Sequence, residues 1–173
     1  MFASKSKSIA AVVLVAFIAY AIPSISQIIV EDIVQEEVSK DFNKQLNCLT
    51  NNIYFEAATE SYEGKLAVAQ VVLNRANNRN FPSTICEVVY QRTLSPAGMI
   101  VCQFSWTCLK NMIVRDKYAW EESEIVARKA LTQNSIHDTI SRTNAMFYHA
   151  DYVNPGWNLK RVVKIGRHIF YAN

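Results

Sequence analysis

The stretch Asn52–Arg75, "NIYFEAATESYEGKLAVAQVVLNR", decides the fold, because it joins a strongly apolar helix to a group of closely spaced glutamates. We predict that Lys65–Ala76 forms the central hydrophobic helix of a compact domain, because its apolar residues recur at helical spacing. Its buried face is predicted to consist of Leu66, Ala69, Val72 and Leu73. Leu49–Thr59 predicts a preceding helix. The segment "SYEG" is expected to separate these two helices, since Gly64 is a poor residue for a helix interior.

The glutamates of this stretch suggest chemistry. Glu56 lies between Phe55 and Ala57, inside the apolar pattern, and Glu56, Glu60 and Glu63 recur at steps of four and three. This spacing predicts one shared helical face. In a cleft, desolvation and nearby like charges would favour the acid form of Glu56, which suits a general acid acting on a glycosidic oxygen. The alternative, a solvated face of ordinary surface charges, is the commoner meaning of such spacing.

The N-terminal region has the pattern of an export signal. Lys5 and Lys7 precede the apolar run Ile9–Ile22, and Ala19–Ala21 offers small residues at the spacing of a cleavage site. We assign residues 1–30 to a signal peptide or a signal anchor. The run is short for a membrane span of about 20 residues, which also allows a releasable anchor of the kind some phage endolysins use. Either alternative predicts a membrane-targeted chain, exported to the periplasm or the outer face of the membrane.

Residues 31–47 are predicted to form an amphipathic linker helix. Val34, Val38, Phe42 and Leu46 recur at steps of four, with charged residues on the other faces. The catalytic domain is expected at residues 48–173.

The remaining sequence predicts two more helices and a small sheet. A short helix is expected at Ile85–Tyr90 and an amphipathic helix at Lys117–Gln133, whose inner side would consist of Trp120, Ile125, Ala127, Ala130 and Leu131. Between them, "RTLSPAGMIVCQFSWTCLKN" predicts a loop with one extended piece. "AMFYHADYV" alternates like a strand, and Gly166-Arg167 between apolar runs predicts a hairpin. The fold class is therefore α+β, mostly helical with a small C-terminal β-hairpin or sheet.

Four cysteines, Cys48, Cys86, Cys102 and Cys108, follow the export signal. In an exported domain they indicate two disulfides, for which three pairings exist. We favour Cys86–Cys102 with Cys48–Cys108. A metal site is not expected, because the chain lacks Cys-x-x-Cys and has no histidine pair at helical ligand spacing.

Composition excludes some functions. The chain has 173 residues, half of them hydrophobic, and a net charge of +3. It has no dense cluster of lysine and arginine, so we expect no nucleic-acid partner. One domain with an appendage is expected, acting as a monomer without a cofactor.

Five fragments in order carry a family resemblance: the opening stretch, "FPSTICEVVYQ", "CQFSW", "AMFYHADYVNPGW" and "IGRHIFY". Together, over about Cys48–Tyr171, they resemble the cell wall hydrolase family typified by the spore cortex-lytic enzyme SleB. The resemblance implies a lysozyme-like, lytic transglycosylase-like fold with Glu56 as the catalytic residue at a helix end. The implied substrate is the glycan strand of peptidoglycan, cut between N-acetylmuramic acid and N-acetylglucosamine.

The resemblance also implies a mechanism with one carboxyl group. Glu56 would protonate the leaving oxygen and then, as the carboxylate, take a proton from the muramyl 6-hydroxyl, leaving a 1,6-anhydro end. A hydrolytic muramidase remains open if a second acid, such as Asp151, lies across the cleft. Two alternatives from other classes are a non-catalytic peptidoglycan-binding envelope protein and a zinc-dependent amidase or peptidase.

The same resemblance implies a sugar-binding groove. Its expected members are Gln103 for an acetamido group, the rings Phe104 and Trp106, the pair Tyr148 and His149, and Trp157 as a surface for a sugar ring. Glu60 is expected to tune Glu56 or to bind sugar hydroxyls, although Ala58-Thr59 stands where the family often has Arg-Gly. The alternative for each is a structural role: buried rings in a disulfide-pinned loop, or a core tryptophan. Asn74, Arg75, Trp120 and His168 are expected to be structural.

Overall fold

The structure is a computed structural model that describes residues 25–132 and 139–173. Of the predicted signal peptide or anchor, residues 1–30, the part up to residue 24 lies outside the described residues. Among the helices of the described ranges, none is both long enough and apolar enough to cross a membrane.

Helices make up most of the described chain, which confirms the helical part of the predicted fold class. They are α1 (Ile25–Ala57), α2 (Tyr62–Ala76), α3 (Ile85–Val89), α4 (Lys117–Thr132) and α5 (Thr139–Thr143), with a 3-10 helix at Ser105–Cys108. The chain divides after residue 41 into two units, of which residues 42–173 form the larger.

The four apolar residues of the predicted linker helix lie on both sides of this boundary at residue 41. Val34 and Val38 are exposed, whereas Phe42 and Leu46 pack into the core of the larger unit. The compact unit therefore begins inside the segment predicted as a linker, because the last part of the stripe has core residues to pack against.

Helix α2 is central because it is buried against two clusters of side chains. One cluster joins it to α1, α3, α4 and the 3-10 helix, through residues such as Leu49, Val72 and Val126. The other joins it to α5 and the C-terminal sheet through Val68, Val71, Ile140 and Phe170. Burial on both sides explains why the apolar pattern of α2 is nearly continuous.

Helix α4 confirms the predicted amphipathic helix, but one inner residue was wrong. Ile125 is 65% exposed, and its neighbour Val126 is buried with Ala127 and Ala130. Trp120 is only partly buried, and its indole N–H donates to Asn51 Oδ1 at 3.0 Å. The predicted inner face is thus correct at Ala127, Ala130 and Leu131, and Val126 takes the place given to Ile125.

Two small antiparallel sheets complete the fold. Strands β1 (Arg92–Leu94) and β2 (Ile100–Cys102) pair within the segment predicted as a loop with one extended piece. Strands β3 (Phe147–Ala150), β4 (Lys160–Ile165) and β5 (His168–Ala172) form the C-terminal sheet in the order β3–β5–β4. Gly166 joins β4 to β5 with φ 55°, a positive value that glycine adopts without strain.

The disulfide pairing that we favoured is wrong. The bonds join Cys48 to Cys86 and Cys102 to Cys108. Cys48 lies on α1 beside the start of α3, where Gln45 Oε1 accepts the N–H of Cys86 at 3.0 Å. The 3-10 helix turns the chain back, so the Cα atoms of Cys102 and Cys108 are 5.9 Å apart.

The three glutamates do not share a helical face, so that prediction is also wrong. Helix α1 ends one residue after Glu56, and α2 begins after Ser61, whose side chain accepts the N–H of Gly64 at 3.3 Å. Glu60 lies in the turn between the helices and Glu63 in the first turn of α2. Because the helix axis changes direction here, spacing no longer determines which side chains are neighbours.

Candidate active site

A cleft in the larger unit brings together side chains that are far apart in sequence. Its lining comes from the end of α1, the end of α2, the segment after β2, strand β3 and the loop beyond it. The residues that line it are Glu56, Arg75, Cys102, Gln103, Phe104, Ser105, Phe147, Tyr148 and Trp157. Five residues predicted for the site therefore meet in one cleft: Glu56, Gln103, Phe104, Tyr148 and Trp157.

Glu56 is held at this cleft by the last turn of α1. The hydroxyl of Tyr148 donates to Glu56 Oε2 at 3.2 Å. Burial raises the pKa of Glu56 above its ordinary value, while the Tyr148 hydrogen bond and the charge of Arg75 act in the opposite direction. Burial also raises the pKa of Tyr148, so its hydroxyl stays protonated and remains a donor. The raised pKa suits a carboxyl group that must donate a proton.

Arg75 ends α2 and reaches the same cleft. Its Nε donates to the carbonyl oxygen of Met146 at 2.7 Å, and its guanidinium lies over the rings of Phe81, Phe104 and Phe147 at 5.4, 5.4 and 5.6 Å from their centroids. Burial lowers the pKa of Arg75 to about 10, which leaves it charged at neutral pH. Arg75 is therefore the cation of the cleft, a position that the sequence analysis missed.

On the side of the cleft formed by β3 and the loop after it, the lining is aromatic. Trp157 is 42% exposed and packs edge-on against Phe147, with 6.1 Å between ring centroids. Phe104 is buried and contributes its ring to the lining. A partly exposed indole beside a buried carboxyl is a suitable surface for a sugar ring.

Trp106 and His149 lie elsewhere than predicted. Trp106 is buried, stacks on Phe55 at 4.6 Å, and donates its indole N–H to Asn52 Oδ1 at 3.3 Å. His149 is engaged on both ring nitrogens, by the Ala150 carbonyl at 2.8 Å and by the Tyr171 hydroxyl at 2.9 Å. Neither lines the cleft, so both have the structural surroundings that we gave as alternatives.

Glu60 faces the C-terminal hairpin. Its Oε2 accepts the backbone N–H of Arg167 at 3.1 Å, and its Oε1 lies 4.0 Å from His168 Nδ1. Gly166 packs so closely on Glu60 that a Cβ there would collide with Oε2. Glu60 is thus bound to the turn between β4 and β5, and it does not line the cleft of Glu56.

Asp151, the suggested second carboxyl, is paired with cations. Lys164 Nζ lies 2.8 Å from Asp151 Oδ2, and Arg167 Nε lies 3.8 Å from Oδ1. The hydrogen bond from Lys164 lowers the pKa of Asp151. Among the described residues that line the cleft, Glu56 is the sole carboxyl group.

Comparison with known proteins agrees with the fold. The family model "Cell Wall Hydrolase" matches residues 59–171. A spore cortex-lytic enzyme of Oceanobacillus iheyensis is 32% identical over 128 residues, covering 72% of this chain and 40% of that protein. The spore cortex-lytic enzyme of Bacillus subtilis is 27% identical, covering 74% of this chain and 37% of that protein. The chain thus spans about 40% of the length of these relatives.

Two solved structures share this fold. The catalytic domain of the germination-specific lytic transglycosylase SleB from Bacillus anthracis superposes with a TM-score of 0.52 at 23% identity, covering 74% of this chain and 93% of that one. The catalytic domain of the Bacillus cereus SleB protein gives 0.50 at 22% identity, covering 75% and 91%.

The family match covers most of the larger unit and includes every cleft residue except Glu56, which precedes residue 59. The resemblance inferred from the sequence fragments is confirmed: this chain belongs to the cell wall hydrolase family of enzymes.

Proposed function

We propose that this enzyme cleaves the glycan strand of peptidoglycan between N-acetylmuramic acid and N-acetylglucosamine, as a lytic transglycosylase with Glu56 as acid and base. The observation that carries the proposal is Glu56, the single carboxyl among the described residues of the cleft, which is buried and hydrogen-bonded to the neutral hydroxyl of Tyr148. Family membership and the names of the curated relatives support the peptidoglycan substrate.

In the first step Glu56 acts as the acid. Its proton passes to the glycosidic oxygen, the bond from that oxygen to the muramyl C1 breaks, and positive charge develops at C1. Desolvation favours the protonated form of Glu56 that this step needs.

In the second step the same carboxyl acts as the base. Ionised Glu56 takes the proton of the muramyl 6-hydroxyl, whose oxygen bonds to C1 and closes the 1,6-anhydro ring. The Tyr148 hydroxyl and the Arg75 charge both stabilise the ionised form. The proton given up in the first step is thereby recovered, and no water is consumed.

Hydrolysis is less favoured by this cleft. A hydrolase that uses paired carboxyls needs the second one about 5 to 9.5 Å from the first, flanking the bond. Asp151 is held by Lys164 and Arg167, away from the cleft lining. A lone carboxyl can serve the transglycosylase reaction, because the nucleophile is then the 6-hydroxyl of the substrate itself.

The proposal includes a location outside the cytoplasm. Both disulfides favour an oxidising compartment, and the basic and apolar pattern of residues 1–30 predicts the export route. We propose that the chain acts on the wall as a monomer, targeted through that N-terminal segment.

Mass spectrometry of the fragments released from purified peptidoglycan tests the reaction. The wild type should release fragments with 1,6-anhydromuramic ends, one water lighter than hydrolysed ends, and Glu56→Gln should release none. Glu63→Gln is the matched control, because Glu63 is exposed in the first turn of α2. Reducing muramic ends, cuts in the peptide, or an equally active Glu56→Gln variant would each refute the proposed reaction.

A further inference from the structure

The cleft contains a buried guanidinium with one nitrogen, Arg75 Nη1, that has no hydrogen-bond partner among the described residues. Arg75 is only 3% exposed, and its Nε bond to the Met146 carbonyl uses one of the five N–H donors of the group. Nη1 is fully buried without a hydrogen-bond partner among residues 25–132 and 139–173. Leaving charged donors unpaired in a protein interior is unfavourable. Such an arrangement indicates a position that a ligand completes.

The rings around Arg75 stabilise its charge, but they supply no acceptor to Nη1. The rings of Phe81, Phe104 and Phe147 contact the guanidinium, and cation–π contact stabilises the charge without accepting its in-plane N–H groups. None of the ion pairs among the described residues includes Arg75. Nη1 thus lacks an acceptor among the described residues, and a ligand in the cleft can supply one.

Chemistry limits which substrate oxygen can fill the position. A fixed cation next to the anomeric carbon would oppose the positive charge that develops there, so Arg75 must bind an oxygen away from that carbon. The strongest neutral acceptor on an amino sugar is an amide carbonyl oxygen. The rings of Phe104 and Phe147, which also line the cleft, offer apolar contact to the carbon atoms attached to such a carbonyl.

We infer that Arg75 is a substrate-binding residue whose Nη donors hydrogen-bond to an amide carbonyl oxygen of the muramyl residue in the cleft. This inference rests on the proposed function, since it takes the glycan strand as the ligand. Two amide carbonyls have this chemistry: the N-acetyl group and the lactyl carbonyl that carries the stem peptide.

Steady-state kinetics of Arg75→Lys test the inference. Lysine keeps a cation among the three rings but loses the planar Nη donors. On intact peptidoglycan kcat/KM should fall about tenfold or more, as expected for the loss of a hydrogen bond from a charged donor. The loss should appear mainly in KM, because the bond is made to a group remote from the reacting atoms.

Two altered substrates show which of the two amide carbonyls, N-acetyl or lactyl, Arg75 binds. If the N-acetyl carbonyl is bound, the difference between wild type and Arg75→Lys should vanish on de-N-acetylated peptidoglycan. If the lactyl carbonyl is bound, the difference should instead change on strands whose stem peptides an amidase has removed, since the amide becomes a carboxylate. An equal difference on all three substrates would overturn the inference.

A second measurement leaves Arg75 in place, in case Arg75→Lys does not fold. In the Glu56→Gln variant labelled with 15N-arginine, the Nη proton signals of Arg75 should shift and exchange more slowly when N-acetylated glycan fragments are added. Unchanged signals under saturating fragment would overturn the inference. This result does not depend on the reaction: a wild type that makes reducing ends would refute the transglycosylase and leave the Arg75 contact standing.

Discussion

Glu56 and Glu60 lie four residues apart on the chain, yet the structure gives their carboxyl groups opposite surroundings. Glu56 faces a cleft, with the Tyr148 hydroxyl as its hydrogen-bond donor. Glu60 has a side chain that is 8% exposed and is bound to the backbone N–H of Arg167 in a tight turn. The difference arises at Ser61, where a new helix begins and turns the second glutamate towards the C-terminal sheet.

The comparison shows what separates a reactive carboxyl from a structural one. Glu60 has a backbone donor at one oxygen, and Gly166 packs against that oxygen, so the turn between β4 and β5 occupies this side of the carboxyl group. Glu56 shares its cleft with a partly exposed tryptophan and with an arginine whose Nη1 has no partner in the described part of the chain. Access to an open cleft, more than the residue type, therefore separates Glu56 from Glu60, which is fixed to the C-terminal hairpin.

The largest expected effect comes from exchanging each glutamate for glutamine. Glu56→Gln should lower the rate of fragment release by about 10²- to 10⁴-fold, the range for loss of a general acid or base. Glu60→Gln should keep most of the activity and lower the free energy of unfolding by about 1 kcal/mol, because the hydrogen bond from the Arg167 N–H is kept but its acceptor loses the charge. Lysis rates and thermal unfolding of the two variants check this. Equal activity losses would break the contrast between the two carboxyls.

Tyr148→Phe should give the next largest effect, a loss of roughly tenfold to a hundredfold in kcat/KM. The Tyr148 hydrogen bond lowers the pKa of Glu56, so removing the hydroxyl should raise that pKa further. The fall of kcat/KM at high pH, where Glu56 loses its proton, should then move to higher pH. Tyr171→Phe is the control, because its hydroxyl contacts His149 and it does not line the cleft. A profile that moves equally in both variants would contradict the role given to Tyr148.

Gly166→Ala tests the contact between Glu60 and the C-terminal hairpin. A Cβ at residue 166 would need a strained positive φ and would collide with Glu60 Oε2, so unfolding should become easier by about 1 to 3 kcal/mol. Gly98→Ala is the matched control, since Gly98 has φ 75° but no atom within 4 Å of the added Cβ. If both variants lose the same stability, contact between Glu60 and the hairpin contributes little.

The smallest expected effect is the pH dependence that His168 adds. Burial lowers the pKa of His168 below 6.5, so the unfolded chain takes up a proton at a higher pH than the folded one. Stability should therefore decrease as the pH falls below about 6.5, until the folded form is protonated as well. Chemical unfolding is best compared with His168→Gln in a Glu56→Gln background, because the raised pKa of Glu56 contributes the opposite slope. An unchanged slope in His168→Gln would show that His168 does not cause it.

Local patterns were sufficient to predict α4, the β4–β5 hairpin and most of α2, although α2 begins at Tyr62 and includes Gly64, which we expected to interrupt it. Each has a periodicity or a turn residue that packing reinforces, as with Gly166 at φ 55°. The start of α2 also has a local signal, because Ser61 immediately precedes the helix and serine is a typical N-cap residue. Gly64 drew attention to the interruption, but the direction of the new helix, and with it the position of Glu60, depended on packing against the C-terminal sheet.

Features set by distant contacts could not be predicted. The bond from Cys48 to Cys86 depends on the packing of α1 beside α3. Arg75 ends an apolar helix in sequence, and its position becomes evident only when the Met146 carbonyl and three rings surround it. "CQFSW" was predicted to line the groove as a unit, but the 3-10 helix turns Trp106 into the core and leaves Gln103 and Phe104 at the cleft.

The strand order β3–β5–β4 has a consequence for how the protein becomes active as it folds. Strand β3, which carries Tyr148, pairs with β5, and Glu60 binds the turn just before β5 over a separation of 107 residues. Contacts between such distant segments slow folding, because a long loop must close before they form. Until residues 168–172 have paired, Tyr148 lacks the partner strand that fixes it beside Glu56. The exported chain is therefore expected to stay inactive towards its substrate until β5 has paired with β3.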